Sequence, residues 1–92
     1  MNIRMEYSAL PRSRAGCASE TVDIEDGAGL PELLEAVALR HGEAMRQLLF
    51  SEDGRLSRTI LCFVDNEQAD WAQPPSLGDG ACVMLMSPIS GG

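Results

Sequence analysis

Positive charge is scarce in this sequence: seven Lys plus Arg stand against fourteen Asp plus Glu, a formal net charge of −7 at pH 7. Nonspecific binding to a phosphate backbone needs a basic surface that releases counterions, and no stretch here clusters cations, so nucleic acid is excluded as a partner. Long apolar runs are also missing. Residues 1–7 alternate apolar and polar instead of forming the apolar core of a signal peptide, and no later segment reaches the roughly 18 apolar residues of a membrane span. A cytoplasmic protein without a membrane partner is expected. Cys17, Cys62 and Cys82 are odd in number, widely spaced and free of any C-x-x-C or Cys/His cluster, which argues against a disulfide framework or a metal site. Cys62 and Cys82 sit in apolar runs and are expected as small core hydrophobes. Cys17, beside Gly16 in a turn, has only Arg14 nearby to lower its pKa and is not read as a nucleophile.

Catalytic groups are equally sparse. His41 is the only histidine, has no Ser or Cys partner placed by sequence, and reads as a cation at a helix C-terminus. Asp23, Glu25, Asp26, Glu32 and Glu35 are spread as on a solvated face, not paired for acid/base work. The Gly-rich points at residues 27–29 and 78–80 lack the context of a phosphate loop. The expectation is a non-enzyme with no bound cofactor.

What the sequence does have is the pattern of one small folded domain. Its 92 residues are 45% hydrophobic and 23% charged, inside the globular range and too few for two domains. Ile3, Met5 and Tyr7 share one parity, the period of a half-buried strand, and residues 19–25 alternate again. Residues 11–16 read as the turn of a hairpin between them. Leu30, Leu33, Leu34, Val37 and Ala38 recur at helical spacing, with Pro31 in the first turn, predicting an amphipathic helix over 31–41. A shorter helix over 43–50 would turn Met45, Leu48 and Leu49 inward. Apolar runs at 60–64 and 82–86, each beside a turn signal, predict two strands near the sheet centre, with a loop over 68–77 that holds one short strand or helical turn. The order strand, strand, helix, strand, strand predicts an α+β, β-grasp (ubiquitin-like) fold. A mixed sheet of four to five strands would pack on one main helix, its last strand parallel to its first. Residues 1–88 would form the domain and residues 89–92 a flexible, extended tail.

That tail ends in Gly91 and Gly92. Pro88 cannot donate to a sheet ladder, so pairing should stop there, and two residues without Cβ can thread a passage closed to any other residue. Such a tail offers its α-carboxylate, which becomes an acyl electrophile once an enzyme adenylates it.

At this point the sequence resembles the MoaD/ThiS family of ubiquitin-like sulfur carriers. Val64-Asp65-Asn66-Glu67 is similar to the family's Val-Asn-Gly/Asp-Glu turn, residues 77–83 to its Leu-x-Asp-Gly-Asp-x-Val, and residues 87–92 to its Pro-Pro-Val-x-Gly-Gly ending. Departures are Asp65-Asn66 in place of Asn-Gly, Ala81 in place of an acid, and Ser87 in place of the first proline. The resemblance implies a carrier cycle in which an E1-like enzyme of the MoeB/ThiF type uses ATP to adenylate Gly92. A sulfurtransferase or cysteine desulfurase then supplies sulfur, and the thiocarboxylate passes to an accepting biosynthetic enzyme. Gly91, Ser90, Ile89 and Pro88 would be recognised as the tail. Molybdopterin, thiamine, cysteine, siderophore and tRNA-thiolation routes all use such tails. A ubiquitin-like modifier joined to lysines through Gly92, and the small subunit of a molybdopterin-synthase-type complex, are alternative outcomes, with a plain interaction domain behind them.

Strand parity adds a docking surface. If Ile60, Cys62, Val64, Val83 and Leu85 face the helix, then Leu61, Phe63, Met84 and Met86 face outward as an apolar patch for partners, unless the loop bearing Trp71 covers it.

Overall fold

The computed structural model describes residues 1–88, and the predicted tail at 89–92 lies outside the described residues. Strand β1 (Asn2–Ser8) buries Ile3, Met5 and Tyr7 as its alternation requires. It pairs antiparallel with β2 (Ser19–Asp23), from Asn2 opposite Asp23 to Glu6 opposite Ser19. Strand β2 stops two residues short of its expected end, where residues 24–28 turn toward the next helix.

The connection between β1 and β2 corrects the expected turn. Residues Leu10–Ala15 form a helical stretch, α1, with Pro11 in the first turn and Gly16 closing it at φ 75°. Proline costs no hydrogen bond in a first turn, and glycine enters the left-handed region without strain. Turn-like composition is therefore also that of a six-residue helix.

Helix α2 (Leu30–His41) turns Leu30, Leu33, Leu34, Val37 and Ala38 into the core. The Gly29 N–H donates to Glu32 Oε1 at 2.8 Å and closes its N-terminus. Helix α3 (Glu43–Leu49) follows after Gly42, with Met45 and Leu49 buried and Leu48 half-buried.

Strands β3 (Leu61–Val64), β4 (Glu67–Gln68) and β5 (Cys82–Met86) complete a mixed sheet in the order β2-β1-β5-β3-β4. Strand β5 lies between β1, to which it is parallel, and β3, to which it is antiparallel. This is the β-grasp arrangement. Asp65 and Asn66 take φ of 49° and 72° between β3 and β4, the left-handed pair that a two-residue hairpin turn needs. Asp65 also fixes the start of β5: its Oδ1 accepts the Cys82 N–H at 3.0 Å, and its own N–H donates to the Cys82 carbonyl at 2.8 Å.

One sheet face and the buried faces of α2 and α3 share a single hydrophobic core. Cys62 belongs to it, and burial pushes its thiol pKa up to about 12, so it is a space-filling group.

Candidate functional site

The opposite face of the sheet carries the predicted patch. Register places Leu61 opposite Met86 and Phe63 opposite Met84, so the four side chains form two cross-strand pairs on β3 and β5. All four are half-buried, while their neighbours Cys62, Val64, Val83 and Leu85 are buried on the core side. Polar groups frame the patch. On the β1 side Glu6 lies opposite Met84 and Ser8 opposite Met86, and Arg4 pairs with Glu6 at 3.6 Å. Gln68 of β4 lies opposite Phe63. Two adjacent apolar pairs inside a polar frame form a surface that loses water readily against another protein.

Trp71 lies elsewhere. Its ring meets Phe50 edge-on at 6.4 Å and shares a recess with Pro31, Ala36 and Leu39, on the helix side of the molecule. The aromatic that could have covered the patch packs on the other face.

Cys82 requires a correction. It shares parity with Met84 and Met86, so it is half-buried on the outer face and not a core residue. The apolar run concealed this, although alternation counted back from Met86 would have shown it. Its thiol donates to Glu6 Oε1 at 3.3 Å. Burial and the Glu6 carboxylate raise its pKa, keeping it a thiol and a poor nucleophile.

The root of the tail is anchored. Beyond Met86, Ser87 is buried and its Oγ accepts the N–H of Leu10 at 3.2 Å, while Pro88 is exposed. Leu10 opens α1, so the hydroxyl satisfies a donor that no residue of the helix itself could bond. The residue at the first-proline position thus ties the end of β5 to α1, a role that only the three-dimensional neighbourhood reveals. Pro88 is the one predicted tail residue described, and Ile89, Ser90, Gly91 and Gly92 lie outside the described residues.

At the end of α2, His41 does not stand as a lone cation. Its Nε2 lies 2.5 Å from Glu20 Oε2, which also accepts the Tyr7 hydroxyl at 2.5 Å, and Arg40 reaches Glu20 Oε1 at 3.1 Å. Burial would raise the Glu20 carboxyl, but the hydrogen bonds from His41 and Tyr7, with the His41 and Arg40 charges, hold it below the usual range. Burial, then Glu20, push Tyr7 upward. The cluster joins β1, β2 and α2 and is a structural tie. Among the described residues no group of His, Cys, Asp and Glu could hold a metal ion, and no helix is long and apolar enough to cross a membrane.

The ThiS family model matches residues 5–92. This chain belongs to the ThiS family. As a ThiS-family chain it also has counterparts among solved structures. SAMP1 of Haloferax volcanii is 25% identical with a TM-score of 0.86, covering 100% of both chains. The putative molybdopterin converting factor subunit 1 of Pyrococcus furiosus is 24% identical with a TM-score of 0.77, covering 97% of this chain and 99% of that one. The Amycolatopsis orientalis BexX/CysO complex gives 22% identity and a TM-score of 0.69, covering 98% and 99%. No match is found among curated proteins. The family is one of small ubiquitin-like sulfur carriers and modifiers, which agrees with the carrier class expected from the residues.

Proposed function

We propose that this ThiS-family chain is a sulfur carrier whose reacting group is the Gly92 carboxylate, and that Leu61, Phe63, Met84 and Met86 dock it on its partners. The single observation that carries the reading is the family match running through residue 92, Gly91 and Gly92 included. An E1-like enzyme of the MoeB/ThiF type joins the carboxylate to AMP from ATP, releasing pyrophosphate. The terminal sulfur of a persulfide supplied by a sulfurtransferase or cysteine desulfurase displaces AMP to give an acyl disulfide. A second thiol of the partner enzymes then cleaves its S–S bond, forming a disulfide with the donor sulfur and leaving a thiocarboxylate on Gly92 whose sulfur goes to an accepting biosynthetic enzyme. The carrier contributes no catalytic group and binds no cofactor; ATP belongs to the activating partner. Each partner must hold the domain while the tail enters its active site, which is the use of an apolar face beside the tail root. The cytoplasm, where ATP and persulfide donors meet, is the expected compartment.

A second reading is favoured by the likeness to SAMP1: a modifier joined through Gly92 to lysines of other proteins. It needs the same activated carboxylate with an amine as the final nucleophile. The 92 residues include no lysine, so such adducts would form only on other proteins or on a chain's own N-terminus.

The test is pyrophosphate exchange by the activating enzyme with ATP and the full chain. Exchange with the wild type and none after deletion of Gly92 is the expected result; exchange that survives the deletion overturns the proposal.

A further inference from the structure

The acidic residues of this chain are unevenly spread along the strand axis. Parallel β1 and β5 finish together, Ser8 opposite Met86, at the end where β3 begins with Leu61 opposite Met86, and the tail leaves there. The segments that meet at this end, residues 7–18, 60–61 and 86–88, contain no Asp or Glu, and Glu20, the neighbouring acid on β2, is taken up by the Tyr7 hydroxyl, Arg40 and His41. The other end of the same strands carries Asp23, Asp26, Asp65, Glu67 and Asp79, with Asp79 accepting the Asn2 N–H and Asp23 and Asp26 paired to the Met1 amine.

Arginines follow the same division. Arg4, Arg40 and Arg46 pair with Glu6, Glu20 and Glu35, and Arg55 and Arg58 line a recess shared with Glu52, Asp53 and Asp70. Arg12 and Arg14, like Arg55 and Arg58, form no ion pair among the described residues, but the recess beside Arg12 is lined by Ala9, Ser13, Gly16, Cys17 and Ala18 and holds no acid. Both Arg12 and Arg14 are exposed on α1, whose first N–H is bonded to Ser87 at the tail root.

Resting on the carrier reading above, we propose that Arg12 and Arg14 form a cationic contact at the tail root that docks on acidic residues around the opening through which the activating enzyme takes the tail. The occupant follows from charge complementarity. A carrier of net charge −7 approaching an acidic rim is repelled in every orientation except the one that leads with its arginines, and that orientation brings the tail first. The apolar patch then supplies short-range burial, while Arg12 and Arg14 select the approach.

The experiment is pyrophosphate exchange by the activating enzyme with full-length carriers at low and high salt. Arg12→Glu with Arg14→Glu is expected to raise KM for the carrier about tenfold at low salt with kcat unchanged, and the difference should shrink toward high salt as screening removes it. Arg55→Glu, a charge reversal in the mixed-sign recess, should change KM less than about twofold. An unchanged melting temperature shows that α1 persists, and Arg12→Lys with Arg14→Lys should restore most of the KM. Unaltered KM in the double Glu variant, an equal effect from Arg55→Glu, or an effect insensitive to salt overturns the proposal. If wild-type carrier supports no exchange at all, the carrier reading itself fails and this proposal falls with it.

Discussion

The two faces of the sheet are made from the same strands yet have different surroundings. On β5, Val83 and Leu85 are fully buried against the helices, while Met84 and Met86, one step along the backbone, remain half-exposed beside Phe63 and Leu61. The inner face is covered by α2 and α3 of the same chain. The outer face has apolar pairs of similar chemistry and, with Trp71 packed on the helix side, none of that cover among the described residues. Under the proposed docking role, alternation in the sequence separates stability from recognition: a substitution on odd-numbered positions of β5 should unfold the domain, and one on the patch positions Met84 and Met86 should change what it binds.

The largest effect that tests this division is on the inner face. Leu85→Ala should cost about 2 to 5 kcal/mol of unfolding free energy, read by urea denaturation, because a buried methyl cluster is replaced by a cavity. A cost below about 1 kcal/mol would mean that the core is not where the fold places it. Next comes the tie that holds β2 to α2. Glu20→Gln should cost about 1 to 3 kcal/mol near neutral pH, since it removes charge-assisted hydrogen bonds to His41 and Arg40. The folded Glu20 carboxyl lies below its unfolded value, so its contribution is complete above the unfolded pKa and disappears as pH falls through the folded one. Wild type and variant should therefore converge in melting temperature toward acid pH, and parallel curves would refute the assignment.

On the outer face, Phe63→Asp or Met86→Asp should leave the melting temperature nearly unchanged while raising KM for the carrier in activation at least about tenfold, equivalent to about 1.4 kcal/mol. Wild-type adenylation kinetics in both variants would remove the patch from the account. The smallest effect lies in the β3–β4 turn. Asn66→Gly, at φ 72°, should stabilise by about half a kcal/mol because glycine takes that conformation without a Cβ penalty. A measurable loss of stability would show that the Asn66 side chain contributes more than tolerance of the turn.

Much of this was readable from the chain alone because it depends on periodicity. Tyr7, Leu33, Val64 and Leu85 announce their burial by spacing, and the four patch residues follow from the same parity. What could not be read depends on contacts distant in sequence. Helix α1 is too short to show a period, so Pro11 and Gly16 looked like turn residues. Cys82 was hidden at the start of a continuous apolar run. The bonds from Leu10 to Ser87 and from Glu20 to His41 join residues 77 and 21 positions apart, and no local pattern encodes them. The clustering of unpaired arginine at the tail root likewise appears only when β1, β3 and β5 are set side by side.

The central claim is that Gly92 carries sulfur, and intact mass of the protein recovered from its native cell tests it most directly. The expected result is a form ending at Gly92 that is heavier than the unmodified chain by the exchange of one oxygen for sulfur, and that reverts when the thiocarboxylate is hydrolysed. A chain found only as adducts on lysines of other proteins, or unmodified even after incubation with activating enzyme, ATP and a persulfide donor, would contradict it.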